Sequence, residues 1–395
     1  MHETRIKENK VNILIIGAGI AGLSAAISLK LQGFNVEIVE RSSSLTDIGA
    51  GIVSWPNASN ILDKLGLLEE VLNVAGKVTS MKRFSSEGEA LGTIDITTIN
   101  EMMSYPSLSI LRYDLMRILN NKINEIKIPI HFDHNLLSFV SNNNLVSAKF
   151  SNKKIIKADV IIGADGRMNS LSREYVKGDN TPKYQGFINW VGIIKSKNDI
   201  FSDLSVCDYW GIGKRFGIVP LSKNHGYWAG GITAKNIERK NPSLYKNELL
   251  HAFKDWPSNI QDIIQNTKDS IINKIYVHDH DPLSIWHKNN VILIGDCAHA
   301  ALPTSGQGAC QALEDAWHLA NCLKENQNNL SQAFESFTKI RIKKTSNIIM
   351  GGRALAFSIF NEDKEFCLKR NIGAQNMKGH KQASAMANLW LENLA

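Results

Sequence analysis

The chain has 395 residues, enough to bury a sizeable core in two lobes or in one large domain with an inserted sheet. Its composition, 43% hydrophobic and 21% charged, is typical of a globular protein. The net charge of +7 comes from Lys and Arg residues that are spread along the chain and mixed with acidic residues, so we expect no nucleic-acid partner.

Hydropathy and cysteine spacing limit the location and the metal chemistry. No apolar stretch is as long as a membrane span, and the first ten residues are polar rather than signal-like. We therefore expect no stable membrane insertion and a cytoplasmic location. The five cysteines include no CxxC pair, which argues against a zinc site or a disulfide framework.

A strand, a glycine turn and a helix start come first along the chain. The apolar run 11–16 predicts a buried parallel strand, and Gly-Ala-Gly-Ile-Ala-Gly at 17–22 is the glycine pattern of a dinucleotide site. Gly17 would allow a sharp turn, Gly19 would let the backbone approach a pyrophosphate, and Gly22 would let the helix pack on the strand. The phosphates would then meet free N–H groups at the helix N-terminus.

An acidic residue, Glu40, follows the second apolar strand at residues 35–39. A carboxylate at this place can accept hydrogen bonds from both hydroxyls of an adenosine ribose and disfavours a 2′-phosphate. This pattern indicates FAD or NAD rather than NADP. The alternative is an ordinary βαβ turn in which Glu40 faces solvent.

Residues 48–157 contain weaker signals. Two spaced glycines, Gly49 and Gly51, precede a short apolar run and indicate either a backbone that passes a flat ligand such as a flavin or a simple loop. Arg112 stands at a predicted helix start, where its charge opposes the helix dipole, so we expect an anionic partner beside it, or else a solvated arginine. Periodicity predicts a core helix at 58–71, the start of an antiparallel sheet at 80–111 and paired strands at 128–157.

The combination of an apolar strand and a glycine turn occurs a second time at 158–166, where the turn at 163–166 is Gly-Ala-Asp-Gly. Such a buried strand predicts a return of the chain to the nucleotide-binding sheet. Asp165 in this turn would orient a basic group or cap the turn.

A third strand delivers Asp296 at its C-terminal end, and a glycine-rich loop, residues 303–308, then opens a helix. Asp296 would hydrogen-bond a polyol such as a ribityl chain, although an aspartate at a strand end is otherwise a common N-cap. The backbone of residues 306–308 would present N–H groups at a helix N-terminus to negative charge.

Between residues 184 and 280, aromatic residues alternate with β-branched residues and glycines, which predicts a sheet with one face lining a cavity. The polar groups that we place toward a ligand are Asn189, Arg215 and Tyr227; each would otherwise be a hydrogen-bonded strand residue. Arg215 would pair with an anionic or enolate-like oxygen. The aromatic residues are Phe187, Trp190, Tyr209, Trp210, Phe216, Tyr227 and Trp228.

Two stretches of this region imitate ligand motifs. The glycine-rich segment 210–217 is followed by a strand rather than a helix, which indicates a hairpin turn and not a nucleotide loop. The segment 278–281, His-Asp-His-Asp, would place its histidines on one face of a strand and its aspartates on the other. Solvated or salt-bridged side chains are therefore expected there rather than a metal site.

The three glycine signals, in this order, resemble the class A flavoprotein monooxygenases over about residues 10–345. The resemblance implies FAD bound in an extended conformation and no separate NAD(P)H domain, with NADH or NADPH as a transient reductant. It also implies that reduced flavin and O2 form a C4a-hydroperoxide, whose distal oxygen attacks a small aromatic or heteroaromatic substrate.

The resemblance implies roles for individual residues. Glu40 would hold the adenosine ribose, Arg112 the phosphate and ribityl region, and Asp296 the ribityl chain. Residues 306–310 would lie at the isoalloxazine edge, and Asp165 would help shape the site shared by FAD and the reductant. The expected cofactor-binding residues are Gly17, Gly19, Ala21, Gly22, Glu40, Arg41, Gly51, Val53, Arg112, Asp165, Asp296, Pro303, Gly306, Gln307, Gly308, Ala309 and Cys310.

A closer resemblance is to the FAD-dependent urate hydroxylases. It rests on residues 53–57, 186–190 and 213–215 and on Tyr227. In those enzymes the residues that match Asn189, Arg215 and Tyr227 contact the purine, so we expect these three to bind substrate and Arg215 and Tyr227 to be catalytic. Thr304 departs from the pattern, because the urate enzymes carry an aspartate there.

The expected fold is α/β: a Rossmann-like FAD-binding domain interleaved with a mostly antiparallel substrate-binding sheet, followed by C-terminal helices. The main alternatives to an aromatic hydroxylase are a flavin monooxygenase for a non-aromatic or drug-like substrate, of the epoxidase or tetracycline-inactivating type, and a non-catalytic flavin-binding sensor. The expected division is FAD-binding at 10–78, 109–180 and 283–330, substrate sheet at 79–108 and 181–282, and C-terminal helices at 331–395.

Overall fold

The computed structural model describes residues 11–45, 51–142, 145–201, 203–238 and 240–394. The strands are β1 (Asn12–Ile16), β2 (Asn35–Val39), β3 (Gly51–Ser54), β4 (Gly76–Lys77), β5 (Ser80–Ser85), β6 (Ala90–Asp95), β7 (Leu108–Leu111), β8 (Ile130–His131), β9 (Leu136–Asn142), β10 (Leu145–Phe150), β11 (Ile155–Lys157), β12 (Val160–Gly163), β13 (Lys183–Lys195), β14 (Val206–Trp210), β15 (Lys214–Ser222), β16 (His225–Thr233), β17 (Asn273–Asp279), β18 (His287–Lys288) and β19 (Val291–Leu293). The helices are α1 (Ile20–Leu31), α2 (Pro56–Lys64), α3 (Leu68–Leu72), α4 (Ile96–Met103), α5 (Arg112–Glu125), α6 (Leu171–Lys177), α7 (Tyr245–Ala252), α8 (Ser258–Asn266), α9 (Asp296–His299), α10 (Gly308–Glu325), α11 (Leu330–Ile359), α12 (Lys364–Gln375) and α13 (Gly379–Leu391).

The three apolar strands that run into glycine turns are neighbours in one sheet of order β18-β19-β12-β1-β2-β8. Strands β1, β12 and β19 are parallel, and their registers pair Ile16 with Gly163 and Gly163 with Leu293. Because the carboxyl ends of parallel strands meet at one edge, the three turns converge there. The expected α/β fold is confirmed, and the Asp296 strand belongs to the same sheet as the Gly17 turn.

The seven-stranded second sheet has the order β17-β13-β16-β15-β14-β5-β6, and only the β14–β5 pair is parallel. Asn189 and Arg215 pair with Gly231 of β16 from opposite sides, so their side chains lie on one face. Tyr227 precedes Gly231 by four residues on β16 and shares that face. The predicted hairpin at 210–217 is confirmed by the antiparallel pairing of β14 with β15.

The opposite face of this sheet is covered by α7 and α8, which the sequence analysis did not predict. Trp190, Phe216 and Trp228 form a hydrophobic core with these helices, and Tyr209 belongs to it as well. These four aromatic residues therefore belong to the packed face of the sheet and not to the face expected to line a cavity. Short amphipathic helices inserted between strands were hidden by the strong period of the flanking sheet.

Helix α4 also differs from expectation. Strands β5 and β6 pair antiparallel, as predicted for 80–111, but a helix then intervenes before β7. Asp95 caps it by accepting a hydrogen bond from the backbone N–H of Thr97 at 3.0 Å. Ser104 ends it in the left-handed region at φ 61°.

The C-terminal helices return over the face of the second sheet that carries Asn189. Phe360, at the end of α11, stacks on Phe187 with ring centroids 4.1 Å apart. Arg353 of α11 binds the carboxylates of Asp279 and Asp281 at 2.6 and 2.9 Å, which confirms salt-bridged aspartates. Among the described residues there is no metal-binding cluster and no helix long and apolar enough to cross a membrane.

Helix α10 crosses the core of the first sheet and carries a buried histidine, His318. Burial lowers the pKa of His318 from 6.5 to about 4, and the positive charge of Arg341 adds to the decrease. The folded state therefore keeps this imidazole neutral, whereas the unfolded chain protonates it near pH 6.5. Its contribution to stability is complete above pH 6.5 and decreases as the pH falls toward 4.

We predict that His318→Gln reduces the acid sensitivity of the fold. Between pH 7 and pH 4.5 the wild type should lose on the order of 2 kcal/mol more unfolding free energy than the variant. Urea denaturation followed by circular dichroism at both pH values measures this difference. His225, His280 and His287 also have lowered pKa values. The unfolding free energy of the variant should therefore still decrease with falling pH, but less steeply than that of the wild type. Parallel pH profiles for both proteins would contradict the prediction.

Candidate active site

The glycine turn after β1 is set by close backbone packing. Gly17 has φ +109°, and a Cβ there would collide with the carbonyl of Ala164 in the neighbouring turn. A Cβ on Gly22 would collide with the carbonyl of Gly17. In contrast, a Cβ on Gly19 meets no described atom within 4 Å. Packing therefore explains Gly17 and Gly22, whereas Gly19 borders open space at the start of α1, as a pyrophosphate site requires.

The carboxylate of Glu40 is held against this turn. One oxygen accepts a hydrogen bond from the N–H of Ala18 and the other from the N–H of Ser42, both at 2.9 Å. The carboxylate is thus fixed at the edge of the turn, with lone pairs left for ribose hydroxyls. Arg41, beside it, is exposed.

A charged cluster lies where the first and third turns meet. Arg167 forms a 3.1 Å salt bridge with Asp296, and the half-buried Arg112 begins α5 nearby. Burial lowers the pKa of Arg112, the Asp296 carboxylate raises it and Arg167 lowers it, with a net decrease. Two guanidinium groups around one carboxylate leave a net positive charge, which suits a diphosphate. The expected anionic neighbour of Arg112 is therefore Asp296 of the protein itself.

Asp165 has a structural role in this fold. Its carboxylate accepts hydrogen bonds from the hydroxyl of Ser170 at 2.7 Å and the N–H of Ser172 at 3.1 Å, at the start of α6. The buried thiol of Cys297 donates to it at 3.1 Å. These contacts favour the turn-capping interpretation, and a role toward FAD and reductant stays a prediction.

The loop before α10 meets the segment around β3. The indole N–H of Trp55 donates to the carbonyl of Gly306 at 3.0 Å, and the thiol of Cys310 lies 3.6 Å from the carbonyl of Val53. Helix α10 begins at Gly308, so free N–H groups point into this loop as predicted. Pro303 and Gly306 are exposed, and Ala309 is half-buried.

The side chain of Gln307 is buried beside the loop. Its side-chain oxygen accepts hydrogen bonds from the amides of Asn57 and Gln311 at 2.9 and 3.0 Å. Its buried Nε2 has no hydrogen-bond partner among the described residues. An amide donor without a partner at a loop edge fits a carbonyl-rich ring such as a flavin, whose oxygens and nitrogens accept hydrogen bonds.

The three predicted substrate residues share one face of the second sheet, and Tyr227 contacts β3. The ring of Tyr227 lies directly over Gly51, where any Cβ would collide with it, so Gly51 has a packing reason independent of a flavin. Gly49, the other glycine of that signal, lies outside the described residues. Asn189 is buried with its side-chain oxygen over Gly231. Burial raises the pKa of the Tyr227 hydroxyl, which therefore stays protonated and can donate a hydrogen bond.

Arg215 has a carboxylate partner that the sequence analysis missed. Its Nε donates to Asp208 at 2.6 Å, and the other oxygen of Asp208 accepts from the indole N–H of Trp210 at 2.8 Å. The outer guanidinium nitrogen Nη2 lies 3.5 Å from the Cβ position of Gly217, because a glycine there leaves room above the strand. Asp208 thus orients Arg215 while its outer nitrogens stay available.

Two further arginines flank this pair. Arg83 of β5 and Arg370 of α12 lie over the ring of Trp210, at 4.9 and 5.4 Å from its centroid. Sequence reasoning missed both because they come from elements far apart in the chain, and only strand pairing and helix packing bring them to Trp210.

Comparison with known proteins identifies the family of the chain. The model of a family described as FAD binding domain matches residues 10–341. The chain belongs to the FAD binding domain family. The Gly17 turn, the Arg112 and Asp296 cluster and the unpartnered amide of Gln307 all fit the cofactor named by this family.

Several proteins with similar sequences cover most of the chain. Aurachin C monooxygenase/isomerase of Stigmatella aurantiaca is 27% identical over 86% of this chain and 88% of its own length. FAD-dependent urate hydroxylase of Mycolicibacterium vanbaalenii is 28% identical over 87% of each chain. 6-Hydroxynicotinate 3-monooxygenase of Pseudomonas fluorescens is 28% identical over 91% of this chain and 95% of its own length. The expectation of an FAD-dependent monooxygenase is thereby confirmed.

Solved structures confirm the fold. Klebsiella pneumoniae HpxO in complex with FAD and uric acid superposes with a TM-score of 0.90 at 22% identity, covering 99% of both chains. The tetracycline destructase Tet(51) superposes with a TM-score of 0.71 at 22% identity, covering 96% of this chain and 98% of its own.

We predict that Gly19→Ala weakens FAD binding without weakening the fold. The added methyl meets no described atom, so the unfolding free energy of the apoprotein should change by less than about 1 kcal/mol. The FAD dissociation constant should rise about ten-fold or more, because the methyl stands where the pyrophosphate is expected. Fluorescence titration of the apoprotein with FAD measures the constant.

Two glycine variants control this experiment. Gly22→Ala should lose roughly 1–3 kcal/mol of stability through its collision with Gly17. Gly351→Ala, on α11 with open space around its Cβ position, should leave stability and FAD affinity close to wild type. A Gly19→Ala protein that binds FAD like the wild type would remove Gly19 from the site.

Proposed function

We propose that this protein uses NADH or NADPH and O2 to hydroxylate a small aromatic or heteroaromatic substrate that binds as an anion. The observation that carries the proposal is the pair Arg215 and Tyr227 on one face of the second sheet, with the ring of Tyr227 over Gly51 of β3. The monooxygenase names of the relatives, which refer to urate, hydroxynicotinate and aurachin, support the substrate class. The cytoplasmic location expected from the sequence belongs to the same proposal.

Electrostatics favours an anionic substrate. Arg83, Arg215 and Arg370 surround the carboxylate of Asp208, which leaves an excess of positive charge on the substrate side of the sheet. Burial lowers the pKa of Arg83, Asp208 raises it and Arg215 lowers it, with a net decrease. A ligand with negative charge relieves this repulsion, and a deprotonated ring is also the more electron-rich target for oxygen transfer.

Each polar residue has a proposed task. The outer nitrogens of Arg215 would bind the anionic oxygen of the substrate, with Nε fixed by Asp208 so that little orientation is lost on binding. The hydroxyl of Tyr227 would donate a hydrogen bond to the same ring, and the amide of Asn189 would position its far edge. The cover of α11 and Phe360 would exclude water from the chamber.

The cofactor supplies the redox chemistry when bound: it takes a hydride from NADH or NADPH and delivers one oxygen atom of O2 to the substrate, the other leaving as water. The proposed binding residues are the seventeen positions of the sequence analysis, and their individual roles stay predictions. The six-part domain division is likewise retained as a proposal.

Thr304 supports a substrate class broader than urate. The urate hydroxylases that this chain resembles carry an aspartate at this position. Here the hydroxyl of Thr304 donates to the carbonyl of Gly352 on α11 at 2.8 Å, so it brings no negative charge to the chamber.

We predict that Arg215→Met abolishes ligand-stimulated turnover while FAD stays bound. A screen of purines, quinolones and aromatic acids should find a compound that accelerates NADH or NADPH consumption and gains one oxygen by mass spectrometry. With that compound Arg215→Met should lose on the order of 100-fold in kcat/KM, because the charged contact to the anion disappears. Tyr227→Phe should lose about ten-fold.

Lys223→Met is the matched control, since Lys223 directly follows the end of β15 and its side chain is largely exposed. It should keep wild-type turnover. A protein that binds FAD but shows no ligand-stimulated oxidation of NADH or NADPH with any compound class would instead indicate a flavin-binding sensor. Unchanged hydroxylation by Arg215→Met would exclude the role given to Arg215.

A further inference from the structure

A network of buried charges joins the start of α10 to the C-terminal helices. Glu314 and Asp315 of α10 and Arg341 and Lys344 of α11 are all completely buried. Arg341 donates to Glu314 at 2.5 Å and to Asp315 at 2.7 Å, and Lys344 donates to Glu314 at 2.8 Å. Two buried carboxylates and two buried cations thus balance each other inside the fold.

The network is expensive to bury and is fully hydrogen-bonded. Removing one partner of a buried ion pair leaves an uncompensated charge, whereas the assembled group is often no more stable than apolar side chains of the same volume. Stability alone is therefore a weak reason for four such charges at one place. Their contacts indicate what they position.

From Glu314 the network reaches the loop before α10. The amide of Asn57 donates to Glu314 at 2.6 Å and to the side-chain oxygen of Gln307 at 2.9 Å. Gln311 donates to both Glu314 and Gln307 at 3.0 Å. Through these bonds the ionised carboxylate of Glu314 fixes the side chain of Gln307, whose Nε2 is left without a described partner.

A second connection runs through two tryptophans. Lys344 also donates to the backbone carbonyl of Trp390 in α13 at 2.6 Å. The ring of Trp390 packs on Trp55 with centroids 5.0 Å apart, and Trp55 donates to the carbonyl of Gly306. The last helix is therefore connected to the same loop through Trp55.

We propose that Lys344 and Trp390 are positioning residues for the flavin ring, acting through Glu314 and Trp55 to fix the loop 306–308. This inference rests on the proposed placement of that loop at the isoalloxazine edge. It gives the C-terminal helices a task beyond covering the substrate chamber: they hold the cofactor loop in its working geometry.

The test compares Lys344→Met with Lys343→Met in the full chain. Lys343 is the adjacent residue of α11, with a side chain that is 74% exposed and paired only with Glu392. We expect Lys344→Met to raise the FAD dissociation constant about ten-fold and to shift the visible absorption bands of bound FAD at saturating cofactor. Lys343→Met should change neither quantity.

A purely structural role would lower the unfolding free energy of Lys344→Met without moving the spectrum of bound FAD, and that result would overturn the proposal. Trp390→Leu serves if Lys344→Met does not fold, because it keeps the buried charges and the backbone carbonyl but removes the ring from Trp55. It should shift the spectrum in the same direction, and an unchanged spectrum overturns the proposal. A wild type that fails to bind FAD would instead refute the proposed flavin site itself.

Discussion

The parallel pairing of β1, β12 and β19 is the constraint on which the rest of the site depends. The three strands come from positions about 150 and 130 residues apart, yet their registers bring three glycine turns to one sheet edge. The collision that a Cβ on Gly17 would make with Ala164 shows how closely two of these turns approach. A dinucleotide can span this edge only because the turns are that close together.

Side chains alternate between the two faces of the second sheet, so the two faces differ in character. Asn189, Arg215 and Tyr227 lie on one face, and on the other face Trp190 and Trp228 form the core under α7 and α8. The rigid aromatic core on the hidden face fixes the strands, so that polar groups on the open face need little additional support. Arg215 is held in place by its hydrogen bond to Asp208.

The C-terminal helices contact both the second sheet and the start of α10. Helix α11 carries Phe360 to the substrate face, Arg353 to the aspartates that end β17, and Arg341 to the start of α10. One long helix thus contacts the second sheet, Asp279 at the end of β17 and the start of α10. Such a helix makes the geometry of these regions interdependent, because shifting it changes contacts in all three.

The sequence by itself determined the nucleotide edge, since each glycine turn follows an apolar strand and each is local in the chain. The prediction that Arg215 and Tyr227 face a ligand came from resemblance to a family rather than from local patterns, and it stays a prediction. Tertiary structure decided what these residues touch: Asp208 on Arg215, the Asp165 carboxylate on α6, and Gln307 inside the Glu314 network. Such partners come from elements distant in sequence, and helices α4, α7 and α8 are too short for their periodicity to stand out from neighbouring strands.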